Sequence, residues 1–63
     1  MNGEQFLRYI EDNFDVSPEY MRLAENVIRY AETLGEDEQY HFLCLTFDGT
    51  IGLSDAEIRK VCL

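Results

Sequence analysis

The chain has 63 residues, of which 13 are acidic and 5 are basic, so its formal net charge is -8. One domain of this length buries only roughly 60% of the surface of the unfolded chain, which leaves little volume for a deep catalytic pocket. The hydrophobic share of 46% is too high, and Gly 4 and Pro 1 too few, for a disordered acidic tail. The composition therefore predicts one folded domain over residues 1–63, without identifying a reaction or a partner.

The start of the chain and its cysteines indicate a cytoplasmic protein. Met1 is followed directly by polar residues, with no basic segment and no apolar core of a secretory signal. No apolar run approaches the roughly 18 residues that a membrane span needs, so no membrane association is expected. Cys44 and Cys62 lie among apolar neighbours and form no CxxC motif, so we expect reduced thiols that pack in the core.

Asn2 begins the first predicted helix. With Gln5 three residues later it has the spacing of a capping box, which predicts a helix from Asn2 to about Phe14. The apolar residues of this helix recur at helical spacing: Phe6, Leu7, Ile10 and Phe14.

Ser17 and Pro18 predict the start of a second helix, as an N-cap serine and a proline at the first helical position. The apolar residues that keep one face of it are Tyr20, Met21, Ala24, Val27, Ile28, Ala31 and Leu34. Gly35 is expected to close the helix in the left-handed conformation.

Residues 40–47 are apolar at nearly every position, so periodicity does not decide between helix and strand. As a helix capped by Asp37 and closed by Gly49, the segment has one apolar face formed by Tyr40, Leu43, Cys44 and Phe47. As a strand it turns at Asp48 and Gly49 and forms a hairpin over residues 40–53. The helix is favoured because the return strand would be very short and would find no third strand.

Ser54 and Glu57 form a capping box for a short last helix, and Leu53 and Ile58 stand at the positions of a hydrophobic staple. The chain is therefore predicted to be all-α, a compact bundle of four short helices. The alternative is an α+β domain with the hairpin at 40–53.

Side chains that suggest catalysis or metal binding are few. His41 is the single histidine, and Cys44 lies one turn along if the segment is helical, but no third residue is indicated that would orient such a pair. Residues 48–51 resemble the middle of an EF-hand calcium loop, yet the first ligand position falls on Cys44 and the final glutamate position on Asp55. The sequence therefore predicts no enzyme, no cofactor and no metal site.

A second resemblance concerns the last connection of the chain. The residues that are similar to the turn and second helix of helix-turn-helix domains are Gly52, Leu53, Ser54, Ile58 and Val61. The resemblance implies a DNA-binding regulator that uses Arg59 and Lys60. Upstream the sequence departs from that family, because Asp48 replaces a small residue and Gly49 falls inside the first helix. The net charge of -8 also disfavours phosphate binding.

Helical structure explains only part of the acidity. Many carboxylates fall in first helical turns, where the helix dipole favours anions, and Glu4 with Arg8 and Glu25 with Arg29 are spaced for ion pairs. The acidic residues left unexplained are Glu11, Asp12 and Asp15 at the end of the first helix, and a second acidic group, which includes Glu36 and Asp37, follows the second helix. The first three are either simply solvated or retained for a basic partner. The other two would extend that surface if the loop after the second helix folds back beside the end of the first.

Phe42 and Leu45 are apolar residues on the outer side of the third segment. If the segment is helical, they point away from the face that contains Tyr40 and Leu43. Either this is the central helix of the bundle, or Phe42 and Leu45 form a contact patch for a second copy or a partner.

These observations favour a small acidic protein-interaction module with a regulatory or inhibitory role. In its more specific form, its carboxylates imitate a nucleic-acid backbone and block a basic nucleic-acid-binding enzyme, as small phage or mobile-element inhibitors do. The alternatives are a helix-turn-helix regulator and a structural homodimer. The predicted partner-binding residues are Glu11, Asp12, Asp15, Glu36, Asp37, Phe42 and Leu45.

Overall fold

Four helices account for most of the chain in the computed structural model, which describes residues 1–62. Their bounds are Gly3–Asn13 (α1), Pro18–Ala31 (α2), Glu36–Ile51 (α3) and Asp55–Cys62 (α4). No strand occurs within residues 1–62, which confirms the all-α bundle. The alternative hairpin over 40–53 is excluded, since α3 occupies most of that range.

The helices alternate in direction and form a ring in which each packs against two others: α1 on α2 and α4, and α3 on α2 and α4. Two contacts show the antiparallel order of the first three helices. Gly3 at the start of α1 lies beside Ile28 near the end of α2. The Tyr20 hydroxyl at the start of α2 is 2.6 Å from the Thr50 hydroxyl at the end of α3. We call the two ends of the bundle the Gly3 end and the Asn13 end.

The core lies along the axis of the ring and contains only apolar side chains among the described residues. Its fully buried large side chains are Phe6, Ile10, Ile28, Leu43, Phe47, Leu53 and Ile58. Phe6 of α1 and Phe47 of α3 meet edge to face across the diagonal, with ring centroids 5.2 Å apart. These two rings join helices that are not neighbours in the ring.

Three of the predicted N-caps are present. The Asn2 side chain accepts from the Gln5 N–H at 3.1 Å, Ser17 from Tyr20 at 3.1 Å, and Ser54 from Glu57 at 3.2 Å. Leu53 and Ile58, the predicted staple, are both fully buried.

The predicted end of α2 was wrong, because the helix ends at Ala31 and not at Leu34. The Thr33 hydroxyl donates to the Tyr30 carbonyl at 2.6 Å, and the Gln39 side chain donates to the Leu34 carbonyl at 3.1 Å. These side-chain bonds compete with helix continuation. Gly35 is not left-handed; with φ of -64° it is the N-cap of α3.

Both predicted ends of α3 were also wrong. The helix begins at Glu36 rather than after Asp37, and it continues through Gly49 to Ile51. Gly52 adopts the left-handed conformation, with φ of 72°, and its N–H bonds to the Asp48 carbonyl. The last turn is held by the Thr50 hydroxyl, which donates to the Thr46 carbonyl at 2.8 Å.

Candidate functional site

The acidic side chains lie on the surface and are mostly unpaired. All 13 are exposed except Glu25, which is half-buried. Within residues 1–62 only two ion pairs form, Arg29 with Glu25 and Arg59 with Asp55. The predicted pair of Glu4 with Arg8 is absent from the described part of the chain. Most of the negative charge is therefore available to a partner.

Glu11, Asp12 and Asp15 lie together at the Asn13 end of the bundle, and all three are exposed. Glu11 and Asp12 lie in the last turn of α1 and Asp15 follows it, where the helix dipole disfavours negative charge. The antiparallel order brings the starts of α2 and α4 to this same end, and their positive dipole ends offset part of that cost. Sequence reasoning considered α1 alone and missed this compensation.

A groove between α1 and α2 contains two members of this cluster, Glu11 and Asp15. The groove is open to solvent and has a volume of about 650 Å³. Its apolar lining is provided by half-buried side chains, Leu7, Phe14, Val16 and Met21. Its charged lining consists of four carboxylates and two guanidinium groups, Glu4, Glu11, Asp15, Glu25, Arg8 and Arg22. An apolar base with mainly acidic walls suits a basic segment that also has apolar side chains.

Glu36 and Asp37 lie at the opposite, Gly3 end of the bundle. They open α3, directly after the turn that follows α2, and Glu32 at the end of α2 lies beside Gly3. The hypothesis that they extend the surface of Glu11, Asp12 and Asp15 was therefore wrong. They form a separate acidic group in the first turn of α3, where the helix dipole favours them.

Of the two apolar residues that were predicted to form a contact patch on α3, Phe42 is half-buried and Leu45 is exposed. The Phe42 ring packs edge to face on Tyr30 of α2, with centroids 5.1 Å apart, whereas Leu45 is 67% exposed. Two further apolar side chains of α2 are exposed, Leu23 at 49% and Tyr30 at 55%. Sequence reasoning missed Leu23 and Tyr30, although their seven-residue spacing places them on one side of α2.

Two buried side chains have raised pKa values. Burial raises the pKa of the Tyr40 hydroxyl, and the nearby Cys62 and Glu36 add to the rise, while the Arg59 guanidinium, 4.5 Å above the ring, opposes it. Burial also raises the pKa of the Cys62 thiol, which the N-terminal ammonium partly offsets. Both groups stay neutral at neutral pH, and a neutral, buried thiol is a poor nucleophile.

The remaining candidates for chemistry lie apart from one another. His41 is exposed, Cys44 is a half-buried free thiol, and Cys62 is a buried free thiol. Within residues 1–62 no three His, Cys, Asp or Glu side chains are grouped so that they could hold a metal ion. Residues 48–51 are helical, so they do not form the loop that an EF-hand requires.

The α3–α4 connection is the segment whose sequence resembles the turn of a helix-turn-helix domain. Gly52 is left-handed, and Gly49 does not interrupt α3 as the sequence suggested. The first turn of α4, which would approach DNA, presents the exposed carboxylates of Asp55 and Glu57. The Arg59 guanidinium donates to the Asp55 carboxylate and lies over the Tyr40 ring, so part of its positive charge is already compensated within the protein and is not available to a DNA phosphate.

Comparisons with known proteins add no further constraint, since no family model, no curated protein and no solved structure matches this chain. None of the helices in the described residues has the length and apolar character to span a bilayer.

Proposed function

We propose that this chain is a non-enzymatic protein-interaction module that binds a basic protein partner and has a regulatory or inhibitory role. The observation that carries the proposal is the groove between α1 and α2, in which four carboxylates and two guanidinium groups surround an apolar base. Such a surface attracts a basic partner over a distance and gives it apolar contacts at short range.

A more specific form of the proposal is imitation of nucleic acid. Exposed carboxylates stand at both ends of a particle 29 Å long, with Glu11 and Asp12 at one end and Glu36 and Asp37 at the other. Charges spread over this length suit a nucleic-acid groove of a basic enzyme, which normally binds a row of phosphates. The module would block such an enzyme by occupying that groove.

The test begins with capture of partners from host lysate at low and at high salt, followed by titration of the purified partner. We expect affinity to fall steeply with salt, because the attraction is between opposite charges in water. Glu11→Lys with Asp12→Lys should weaken binding at least about tenfold at low salt. The matched control is Glu36→Lys with Asp37→Lys, which makes the same change of charge at the Gly3 end.

Two results would contradict the proposal. Binding that is insensitive both to salt and to the Glu11 and Asp12 substitutions would exclude an acidic interaction surface. Equal weakening by the two pairs would contradict the α1–α2 groove as the main contact, and is expected only of the nucleic-acid-like form, in which both ends of the bundle touch the enzyme.

A second function, a helix-turn-helix DNA-binding regulator, is favoured by the left-handed Gly52 and the serine-capped α4. A gel-shift with mixed DNA at low salt separates the two functions. A DNA-binding protein would retard the DNA, whereas the acidic module should be repelled by it.

A further inference from the structure

The large apolar side chains that remain exposed among the described residues lie on two neighbouring helices. Leu23 and Tyr30 belong to α2, and Leu45 belongs to α3. The contacts of Tyr30 with Phe42, and of Tyr20 with Thr50, fix how the two helices pair side by side. In this alignment Leu23, Tyr30, Phe42 and Leu45 lie along the outer side of one interhelical seam, which we call the α2–α3 seam.

Basic side chains are located on the other seams of the bundle. Arg8 and Arg22 line the α1–α2 groove, and Arg29 is paired with Glu25 of that groove. Arg59 lies over Tyr40 on the α4 side of α3, and Lys60 lines the cleft between α1 and α4.

Acidic side chains, in contrast, flank the α2–α3 seam. Glu38 is exposed and lies two turns before Leu45, on the same side of α3. Glu19 is exposed one turn before Leu23 on α2. The seam is thus an apolar strip bordered by carboxylates.

We propose that the α2–α3 seam binds an amphipathic helix of a partner, with apolar residues on one face and Lys or Arg beside them. The two antiparallel helices provide a groove into which a third helix can pack. The bordering carboxylates complement cationic side chains of the bound helix. A second copy fits less well, because a two-fold contact through the seam would bring carboxylates against carboxylates. This inference rests on the proposed function, and it specifies the shape and chemistry of the partner.

The direct test uses three labelled peptides of about 18 residues, roughly 27 Å of helix, which matches the 29 Å length of the bundle. One places Leu on one face and Lys on the other, the second replaces Lys by Glu, and the third is a scrambled leucine–lysine sequence. We expect fluorescence anisotropy to show binding of the first peptide alone. NMR chemical shifts should change at Leu23, Tyr30, Phe42 and Leu45.

Two single variants then locate the contact. Leu45→Lys should weaken binding of the leucine–lysine peptide at least about tenfold, because it adds a cation in the apolar strip. Ala56→Lys makes the same change of charge at an exposed site on α4, and we expect less than about a twofold effect. Both residues are exposed, so neither substitution should unfold the domain, and circular dichroism verifies this.

Four outcomes would overturn the inference, and the last of them would leave the proposed function standing. The first is equal weakening by Leu45→Lys and Ala56→Lys, and the second is a set of NMR shifts confined to the α1–α2 groove. The third is a sedimentation mass twice that of the monomer that Leu45→Lys returns to the monomer value, which would assign the seam to a second copy. A natural partner weakened by Glu11→Lys with Asp12→Lys but not by Leu45→Lys would leave the proposed function standing without the seam.

Discussion

Gly3 and Gly49 are both helical glycines, yet a methyl group added at each position meets different surroundings. A Cβ on Gly3 would lie 2.6 Å from Cγ2 of the buried Ile28, whereas a Cβ on Gly49 has nothing within 4 Å. Ile28 is β-branched and enclosed by the core, so it cannot move aside cheaply. Gly3 therefore allows the close approach of α1 to α2, whereas no neighbouring atom requires a glycine at position 49.

We predict opposite effects of alanine at these two positions. Gly49→Ala should raise the free energy of unfolding by about 0.5–1 kcal/mol, because alanine restricts the unfolded chain and favours the helix. Gly3→Ala should lower it by about 1 kcal/mol, since overpacking against Ile28 exceeds the gain in helix propensity. Urea unfolding followed by circular dichroism measures both. A stabilised Gly3→Ala protein would show that α1 can shift away from α2 without loss.

At the level of single residues, the sequence predicts side-chain caps better than the role of each glycine. Asn2, Ser17 and Ser54 cap as expected, because their bonds reach only three residues along the chain. Gly35, with a left-handed conformation, and Gly49 were expected to close helices, but the left-handed cap occurs at Gly52. The choice between Gly49 and Gly52 depends on tertiary contacts, since the Tyr20 hydroxyl binds Thr50 and packing buries Leu53.

Among the elements, α3 shows most clearly that the apolar pattern of a sequence can leave the buried side of a helix undetermined until its packing is known. Its apolar residues surround the helix, so periodicity left helix and strand open and did not identify the buried side. In the bundle Tyr40, Leu43 and Phe47 are buried, and Leu45 on the opposite side is exposed. A ring of four helices gives each of them two neighbours, so part of α3 must face solvent.

We predict that the two sides of α3 respond differently to substitution. Phe47→Leu should lower the free energy of unfolding by about 1–2 kcal/mol, because it removes the edge-to-face contacts with Phe6 and Tyr20. Leu45→Ala is the matched control on the exposed side and should change stability by less than about 0.5 kcal/mol. Thermal unfolding of both proteins provides the measurement. A larger loss for Leu45→Ala would mean that another surface covers α3 in solution.

For the molecule as a whole, repulsion among the acidic side chains lowers the stability of the fold, and salt can screen that repulsion. The chain carries a net charge of -8, and only two exposed ion pairs form within residues 1–62. Screening should therefore weaken more repulsion than attraction.

We predict that sodium chloride raises Tm up to about 0.3 M, a range in which it acts mainly by screening. The variant Glu36→Lys with Asp37→Lys reduces the net charge and should show a smaller rise. Scanning calorimetry at several salt concentrations measures both slopes. A Tm that falls with sodium chloride would indicate that attractive charge pairs dominate the stability of the folded chain.

The sequence alone did not predict how the acidic groups are distributed over the molecule. Helix spacing correctly placed Glu11 and Asp12 in the last turn of α1. It could not determine that Glu36 and Asp37 lie at the other end, because that depends on the direction in which α2 returns beside α1. The seam residues Leu23 and Tyr30 became apparent only once α3 was seen to pack beside α2.

The ring of helices also determines the order in which contacts can form as the chain folds. Three of its seams join consecutive helices through short connections, so their loop-closure entropy is small. The fourth seam joins α1 to α4, which are separated by residues 14–54, and we expect it to close last because more entropy is lost. We therefore expect the helical hairpins to form early and the docking of the short α4 against α1 to complete the cooperative unit.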